Sequence, residues 1–308
     1  MVTYVLGYIM KRVLIVGAGI CGLVTAVRNH VANNQVIIFE KRKQIGGRGT
    51  STTTHGFHLE HGPHLLLKGG PLHKMVKKVS RVKPSLRPIR PQKIKIIGHG
   101  ILYPINNPKE LLALKMGKDP VREKAMRLIS GWGQDIPVRK KALLNGKLCV
   151  VGEGWAGIIG RLASTLEEVG VPIQTGMRIV EVIEGGALLS DGVKVEADEV
   201  IMCSGKPVGE AVKVATLDVV LDNQPLSGLH GIIKDDVAVI DLAAIHTGKA
   251  PGMSHLSCIS LSGGISAIEE LLDERVSGWR SHILVKRKND SITLTDSRGI
   301  LSDGVIKK

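Results

Sequence analysis

A glycine-rich turn near the N-terminus narrows the choice of fold more than any other segment of this sequence. Residues 11–16 read KRVLIV, a short β-branched apolar run, and they lead directly into GAGICG at 17–22. A stretch with helical periodicity follows, and a second apolar run then ends in Glu40. Gly17 permits a tight turn, and Gly22 permits close packing of the helix on the strand. The pattern predicts strand, turn, helix and strand, which is the start of an α/β fold with a parallel sheet.

The same turn has the chemistry of a dinucleotide site. Gly19 has no side chain to keep a pyrophosphate away from the backbone, and the helix N-terminus offers unpaired N–H groups and a partial positive charge. Glu40 can accept hydrogen bonds from the hydroxyls of an adenosine ribose, and it would repel a 2′-phosphate, which disfavours NADP. The residues predicted to contact the cofactor here are Gly17, Gly19, Ile20, Cys21, Gly22, Glu40 and Lys41.

The next segment resembles a family of flavoproteins. Residues 41–50 read KRKQIGGRGT, and residues 54–67 read THGFHLEHGPHLLL. A Gly-Gly-Arg segment followed by a Gly-aromatic-x-x-acid-x-Gly-Pro stretch is similar to the FAD-dependent oxidoreductases of the phytoene desaturase, protoporphyrinogen oxidase and flavin amine oxidase superfamily. Flexible glycines and one guanidinium also suit a diphosphate on physical grounds. The resemblance implies FAD as the cofactor, contacted by Gly47, Arg48, His61, Gly62 and Pro63.

Later segments continue the resemblance in the family's order. Residues 148–183 look like its second glycine-rich turn, amphipathic helix and short strand. Residues 237–242 (VAVIDL) and 262–272 (SGGISAIEELL) resemble its second flavin motif, in which a strand ends in an acid and a Ser-Gly turn opens a helix. The residues to which the resemblance gives cofactor contacts are Ile179 at the adenine, Cys203 beside the cofactor, Asp241 at a ribityl hydroxyl, and Gly264 and Ile265 at the pyrimidine edge of the flavin.

The expected architecture is α/β, with a Rossmann-like FAD-binding domain and a reduced, inserted substrate domain. The FAD-binding domain would have a mainly parallel sheet with helices on both faces, and would be formed by residues 10–67, 148–205 and 237–272. The substrate region would be formed by residues 68–147 and a remnant at 206–236. Residues 273–308 lie beyond the family pattern, and their two β-type runs around Lys288 suggest a hairpin appendage.

Two features depart from the family pattern. Ile240 stands before Asp241, where the family usually has glycine, and a branched side chain there would crowd a cofactor. Only 37 residues lie between Cys203 and Asp241, whereas relatives place there a long segment that builds most of the substrate domain. The substrate pocket is therefore expected to come mainly from residues 68–147. It would be shallow, shared with another subunit of a homo-oligomer, or open towards a membrane.

The basic charge of the chain is concentrated in the segment 68–147. This segment holds 20 lysines and arginines against four acids, whereas the rest of the chain is almost neutral. Such a block can contact anionic lipid, attract an acidic ligand or bind nucleic acid, and it can equally be a solvated face. Tyr103 and Trp132 are its only aromatic residues, which disfavours nucleic acid because few side chains can stack on bases.

Composition excludes several other classes of protein. Hydrophobic residues make up 43% of the chain and charged residues 23%, as in globular proteins, and no apolar run reaches the ~18 residues of a membrane span. The four cysteines form no CxxC pair, which argues against a disulfide scaffold or a zinc ribbon.

The apolar residues 2–9 precede basic residues, the reverse of a secretion signal, so Met10 is interpreted as a natural start. A cytoplasmic location is expected, with association at a membrane surface as the alternative.

Four histidines recur at a spacing of three residues, but the segment does not favour a metal site. Glycine and proline interrupt any helix there, and an extended chain would point alternate side chains in different directions. We predict loop residues near the cofactor and no metal. The histidines of this segment are His55, His58, His61 and His64.

These features favour an FAD-dependent oxidoreductase in which flavin N5 accepts a hydride from a small organic substrate. With three Trp, three Tyr and two Phe in the whole chain, the aromatic cage that amine oxidases of this type place before the flavin is hard to build. An isoprenoid-like or acidic substrate is therefore favoured over an amine, and no catalytic residue is identified.

Two alternatives stay open. A non-catalytic carrier akin to prenyl-protein-binding dissociation inhibitors would explain the short substrate region and Ile240, but would leave the dinucleotide residues without a use. An NAD-dependent dehydrogenase would use the first glycine turn, but would leave the Gly-Gly-Arg segment and Asp241 unexplained.

Overall fold

A computed structural model describes residues 10–60, 65–79, 83–130, 136–204 and 212–294 of the chain. The strands are β1 (Arg12–Val16), β2 (Gln35–Glu40), β3 (Thr52–Thr54), β4 (Phe57–Leu59), β5 (Leu66–Leu67), β6 (Leu86–Pro88), β7 (Ile94–Ile96), β8 (Gly100–Ile101), β9 (Leu148–Val151), β10 (Ile173–Thr175), β11 (Ile179–Ile183), β12 (Gly186–Leu189), β13 (Lys194–Glu196), β14 (Glu199–Met202), β15 (Val212–Leu221), β16 (Gly231–Lys234), β17 (Val237–Asp241), β18 (Ser254–Ser260) and β19 (Ile283–Leu294). The α-helices are α1 (Ile20–Val31), α2 (Pro71–Val79), α3 (Pro108–Lys115), α4 (Pro120–Ser130), α5 (Ile136–Leu144), α6 (Gly154–Glu168), α7 (Leu242–Ile245) and α8 (Gly264–Arg275).

The chain forms two compact units, and each is built from two separate segments. The first unit comprises residues 1–48 and 159–205, and the second comprises residues 49–158 and 206–308. Among the described residues, no helix is both long enough and apolar enough to cross a membrane.

The first unit contains a parallel sheet with the strand order β10-β2-β1-β14. All residues of β1 after Arg12 are buried, as expected for a strand that has neighbours on both edges and is covered on both faces. A small antiparallel sheet of β11, β12 and β13 belongs to the same unit. Ile179 of that sheet packs with Leu14, Val16 and Phe39, so the two sheets share a core.

The second unit contains a seven-stranded sheet with the order β19-β15-β18-β17-β16-β7-β8. Its pairings are antiparallel except for the parallel pair of β16 and β7. Alternate residues of β17 point to opposite faces, so Ile240 packs with one core cluster and Val239 with another. The first cluster includes residues of α3, α4 and α5, and the second includes residues of α8.

The segment 237–272 belongs to the second unit, together with most of the basic block. Within that unit, β17 lies between the antiparallel strands β16 and β18 in the middle of the large sheet. The expectation that this segment joins the Gly17 turn in one FAD-binding domain stays a prediction.

The C-terminal segment also differs from expectation where the structure describes it. Instead of a separate hairpin around Lys288, β19 is one strand at the edge of the large sheet. Its pairing with β15 shifts between Thr216, which lies opposite Asn289, and Val214, which lies opposite Ile292. The polar residues between Asn289 and Ile292 are accommodated by this bulge, so no turn is needed.

Candidate functional site

The glycine-rich turn has a geometry that only glycine satisfies at two positions. Gly17 has a φ of +107°, and its N–H donates to the carbonyl of Phe39 over 2.7 Å. A Cβ added to Gly22 would lie 1.8 Å from the carbonyl oxygen of Gly17, which is far inside van der Waals contact. The chain therefore passes from β1 into α1 with the helix backbone directly against the turn, as the sequence predicted.

The start of α1 is suited to an anion. Gly19 is the N-cap residue of this 12-residue helix, and it offers no side chain to cap the first N–H groups. A Cβ on Gly19 would meet only Gly46 and Gly47, both at 3.9 Å, so the backbone is accessible to a close ligand. Amide groups of a first helical turn, including those of Ile20 and Cys21, are the groups that hold phosphates at such turns.

The second glycine segment lies against the first one. Gly46 donates its N–H to the carbonyl of Ala18 over 2.7 Å, and it pairs with Gly19 in a parallel β-bridge. Gly47 has a φ of +58° and begins a short 3₁₀ turn that includes Arg48. The Gly-Gly-Arg segment, which the sequence linked to a diphosphate by resemblance and by its chemistry, is thus placed beside the predicted phosphate-binding turn.

Glu40 faces the same turn from the end of β2. One carboxylate oxygen accepts from the N–H of Ala18 over 2.9 Å, and the other accepts from the N–H of Arg42 over 3.0 Å. The residue is buried, with 7% of its surface exposed. The carboxylate therefore fixes the shape of the turn, and it lies where an acid that binds ribose hydroxyls would be needed.

Two cysteines that are far apart in sequence meet behind this turn. Cys203 lies just after β14, and its thiol donates to the hydroxyl of Thr25 over 3.8 Å. Cys21 lies at the start of α1, where a hydrogen bond with Cys203 and burial raise the pKa of its thiol. The raised pKa keeps Cys21 in its neutral form, so its position favours packing beside the turn over nucleophilic chemistry.

The predicted residues of the second flavin motif lie in the second unit. Asp241 is 3% exposed and caps α7, accepting from the N–H groups of Ala243 and Ala244. It also accepts from the Ser254 hydroxyl over 2.6 Å and from the His255 N–H over 3.2 Å. Its carboxylate is thus engaged within this unit, and the ribityl contact implied by the resemblance stays a prediction.

The remaining predicted residues have separate positions. Gly264, with a φ of +65°, and Ile265 begin α8, and Ile265 packs against the core of the large sheet. Lys41 directly follows β2 and is exposed. The predicted residues His61, Gly62 and Pro63 lie outside the described part of the chain.

A buried polar cluster in the second unit escaped the sequence reasoning. One oxygen of Glu60 accepts from Lys249 Nζ over 3.2 Å and from the Trp155 N–H over 2.9 Å, and both charged side chains are at most 4% exposed. Asp218 accepts from the Glu60 N–H over 2.6 Å and contacts His255 Nε2 over 3.1 Å. Single charged residues inside apolar strands, such as Asp218 in β15, were the only sequence signal for this cluster.

Two adjoining cavities lie in the second unit, around the segment 87–93. One has a volume of about 420 Å³ and is lined mainly by apolar residues of this segment and of α5, together with Ile105. The other has a volume of about 190 Å³ and is lined by Arg87, Arg90, Lys93 and His230, with Pro88 and the start of α7. Pro88, Arg90 and Lys93 line both, so the apolar and the basic cavity are neighbours.

Part of the chain matches a known domain family and a curated relative. Residues 15–79 match the family described as NAD(P)-binding Rossmann-like domain. Over 55 residues the chain is 40% identical to 4,4'-diapophytoene desaturase (4,4'-diaponeurosporene-forming) from Staphylococcus haemolyticus. That alignment covers 18% of this chain and 11% of the relative, so the chain matches about a tenth of the length of the desaturase.

Several solved structures share the fold over most of their length. A protein from Pyrococcus furiosus has a TM-score of 0.69 at 19% identity, with 90% of this chain and 88% of that one covered. An oxidoreductase from Methanosarcina mazei has a TM-score of 0.64 at 17% identity, with 96% and 93% covered. A Rab GDI from Plasmodium falciparum has a TM-score of 0.62 at 11% identity, with 96% and 92% covered.

These similarities confirm the fold expected from the sequence. The chain is α/β, and its first segment carries a Rossmann-like nucleotide-binding unit with a parallel sheet. The expected resemblance to the desaturase and oxidase superfamily is confirmed at the level of the fold. The structures also include a protein named as a dissociation inhibitor, the class of the non-catalytic alternative.

Proposed function

We propose that this protein is an FAD-dependent oxidoreductase that takes a hydride from a small organic substrate. The observation that carries the proposal is the meeting of two glycine-rich segments at the start of α1, where Gly46 and Gly47 lie against Gly19. Glu40 faces the same turn from β2. Together they supply bare backbone, helix N–H groups and a ribose-binding acid in one place.

The residues of the first unit fit the adenosine diphosphate part of FAD. The bare backbone of Gly19 allows close approach of a pyrophosphate, and the amides of Ile20 and Cys21 would donate to it. Glu40 would share its oxygens between Ala18 and the ribose hydroxyls. When bound, FAD supplies a ring that accepts a hydride at N5, and the protein residues supply binding and orientation.

The Gly-Gly-Arg segment supports FAD over NAD. A dinucleotide-binding turn of the NAD type needs only the first glycine segment and the acid. Here a second segment, from Gly46 to Arg48, is hydrogen-bonded to the first turn through Gly46. An arginine in such a segment is a residue type that suits a diphosphate. The partial match to a desaturase supports an oxidoreductase.

The substrate is proposed to be isoprenoid-like or acidic. The scarcity of aromatic residues argues against an aromatic cage for an amine. The region expected to meet the substrate carries most of the basic charge of the chain. Contact with an anionic membrane, assembly into a homo-oligomer and a cytoplasmic location are further parts of this proposal.

A non-catalytic carrier is the second candidate, and the similarity to the Rab GDI structure is the observation that favours it. The turn geometry favours the enzyme. A carrier without a nucleotide would have no use for a glycine turn in which the carboxylate of Glu40 and the backbone of Gly46 both converge on Ala18.

The test begins with the absorbance spectrum of the purified protein, followed by release and identification of any bound chromophore. We expect a flavin released as FAD, at one per chain. Glu40→Gln should weaken rebinding of FAD to the stripped protein by about tenfold, the usual effect of losing one charge-assisted hydrogen bond. Glu181→Gln is the matched control, because Glu181 is an exposed acid of β11 in the same unit.

Each outcome of this experiment decides between the candidates. Protein that is colourless and refuses added FAD, yet binds NAD, would replace the flavoprotein proposal with the dehydrogenase. Protein that binds neither dinucleotide would favour the carrier. Bound FAD that isoprenoid, porphyrinogen and amine substrates all fail to bleach under anaerobic conditions would leave FAD binding supported and remove the proposed reaction.

A further inference from the structure

We propose that the second unit has a binding site for a phosphate ester with an apolar chain, formed by the two adjoining cavities around residues 87–93. The basic cavity would hold the phosphate, and the apolar cavity would hold the chain. The inference does not depend on the flavin, because every residue that lines the two cavities belongs to the second unit.

The basic cavity has an excess of positive charge that the described residues do not neutralise. Arg87, Arg90 and Lys93 line it, and no carboxylate of the described part of the chain lies within ion-pair distance of any of the three. Other basic side chains of the same region are paired: Arg122 contacts Glu110. All three are exposed to solvent at the cavity, so their charges would attract an anion to it from solution.

His230 adds a neutral donor to this cavity. Its Nδ1 accepts from the backbone N–H of Arg90 over 3.0 Å, so in the neutral ring the proton must be on Nε2. Burial and the neighbouring Lys93 and Arg90 lower the pKa of His230, which keeps the ring neutral. The cavity thus combines two guanidinium groups, an ammonium group and a ring N–H, a donor set that matches phosphate oxygens.

The backbone of this segment is rigid where the cations are placed. The segment reads RPIRPQK, in which Pro88 and Pro91 fix φ next to Arg87 and Arg90. Arg90 has an extended backbone, and Ile89 between the cations is fully buried. The side chains therefore extend from a fixed strip of chain, which lowers the entropic cost of placing them around one anion.

The neighbouring cavity indicates what the phosphate is attached to. Its volume of about 420 Å³ is lined on the apolar side by Ile105 and Leu144, with the fully buried Ile89 and Leu143 beneath them. Ile105 is 53% exposed, so its side chain is accessible to a ligand in this cavity. At about 30 Å³ for each methylene-sized group, the volume has room for about 14 such groups, so a ten-carbon chain fits within it.

The test uses decyl phosphate as the probe, with decanol and inorganic phosphate as its two halves. Binding to the full chain is measured by isothermal titration calorimetry below the micelle concentration of the probe. We expect decyl phosphate to bind at least about tenfold more tightly than either half, because only the intact molecule fills both cavities. Equal affinity for decyl phosphate and inorganic phosphate would remove the apolar cavity from the site and overturn the proposal.

Matched variants separate the site from general attraction between charges. Arg90→Gln should weaken the binding of decyl phosphate by about tenfold, since one charge-assisted hydrogen bond is lost. The backbone N–H of residue 90 still donates to His230 in this variant. Lys95→Gln is the control, because Lys95 is an exposed cation of β7 that lines neither cavity. Equal losses of affinity for decyl phosphate in both variants would show a diffuse basic surface and refute the proposed site.

The apolar half has its own pair of variants. Ile105→Asn should weaken the binding of decyl phosphate and leave the binding of inorganic phosphate unchanged. Leu112→Asn should change the binding of neither probe, because Leu112 does not line the cavity. Both residues are more than half exposed, so neither substitution threatens the fold. Binding to vesicles of phosphatidic acid without binding of monomeric decyl phosphate would assign the basic face to a membrane surface and overturn the proposal of a ligand site.

Discussion

The burial of His230 makes the stability of the protein depend on pH in a defined window. The side chain is 5% exposed, and burial, together with the charges of Lys93 and Arg90, lowers its pKa from 6.5 to about 4. In the unfolded chain the ring takes up a proton near its ordinary pKa, about 6.5, whereas in the folded chain it does so only near 4. The stabilisation is therefore fully present above about pH 6.5, and it is lost as the pH falls towards 4.

The size of the effect follows from this difference in pKa. One pKa unit corresponds to about 1.36 kcal/mol, so the shift of His230 lowers the free energy of unfolding by about 2.5 kcal/mol between pH 7.5 and pH 4.5. His230→Asn removes the titrating ring but keeps an acceptor, because Asn Oδ1 can replace Nδ1 opposite the Arg90 N–H. The variant should therefore lose less stability on acidification than the original protein, by about 2.5 kcal/mol.

Urea unfolding at pH 7.5, 6.0 and 4.5 measures this difference. Other groups titrate in the same range, but they do so equally in both proteins, so the comparison isolates His230. His99→Asn is the matched control, since His99 is exposed in the same unit, and its pH profile should follow that of the original protein. If His230→Asn kept the pH profile of the original protein to within about 0.5 kcal/mol, the buried, neutral histidine inferred here would be refuted.

Two other sites give predictions of stability. Lys249→Met should lower the free energy of unfolding by about 3–5 kcal/mol, because Glu60 would remain buried without its cation. Adding Glu60→Gln to Lys249→Met should restore part of the lost free energy of unfolding. A double-mutant cycle measured by urea unfolding checks this, and losses of free energy that simply add would contradict a coupled pair. Gly22→Ala should lower the melting temperature markedly because of its clash with Gly17, whereas Gly160→Ala, a helical glycine with open space, should raise it slightly. Equal changes of melting temperature in the two variants would show that the turn tolerates a side chain at position 22.

The part of the fold that could be predicted from the sequence is the part that local constraints determine. Gly17 and Gly22 are glycines because a positive φ and a contact of 1.8 Å admit nothing else. Glu40 ends β2, and from there its carboxylate reaches the backbone N–H of Ala18 in the turn. Such requirements involve neighbours on consecutive elements, so they leave a pattern that can be read along the chain.

The large sheet of the second unit could not be predicted in the same way. Its pairs join distant segments, for example β7 with β16, where Ile96 lies opposite Ile233. No local pattern records which of many short apolar strands will pair. The buried cluster of Glu60, Lys249 and Asp218 has the same origin, because each charge is satisfied only by a partner that the sheet brings close.

The position of Asp241 shows where a sequence pattern leaves two roles open. An aspartate that ends a strand suits both a ribityl contact and the N-terminus of a helix, and here it caps α7. The sequence therefore predicted where the acid stands, and the ribityl contact stays a prediction. Ile240 has a structural reason that local pattern does not record. All five residues of β17 are buried, so Ile240 fills a core on one face of the sheet while Val239 fills the core on the other. A branched side chain suits such a central strand, whereas a glycine at 240 would leave that core unfilled.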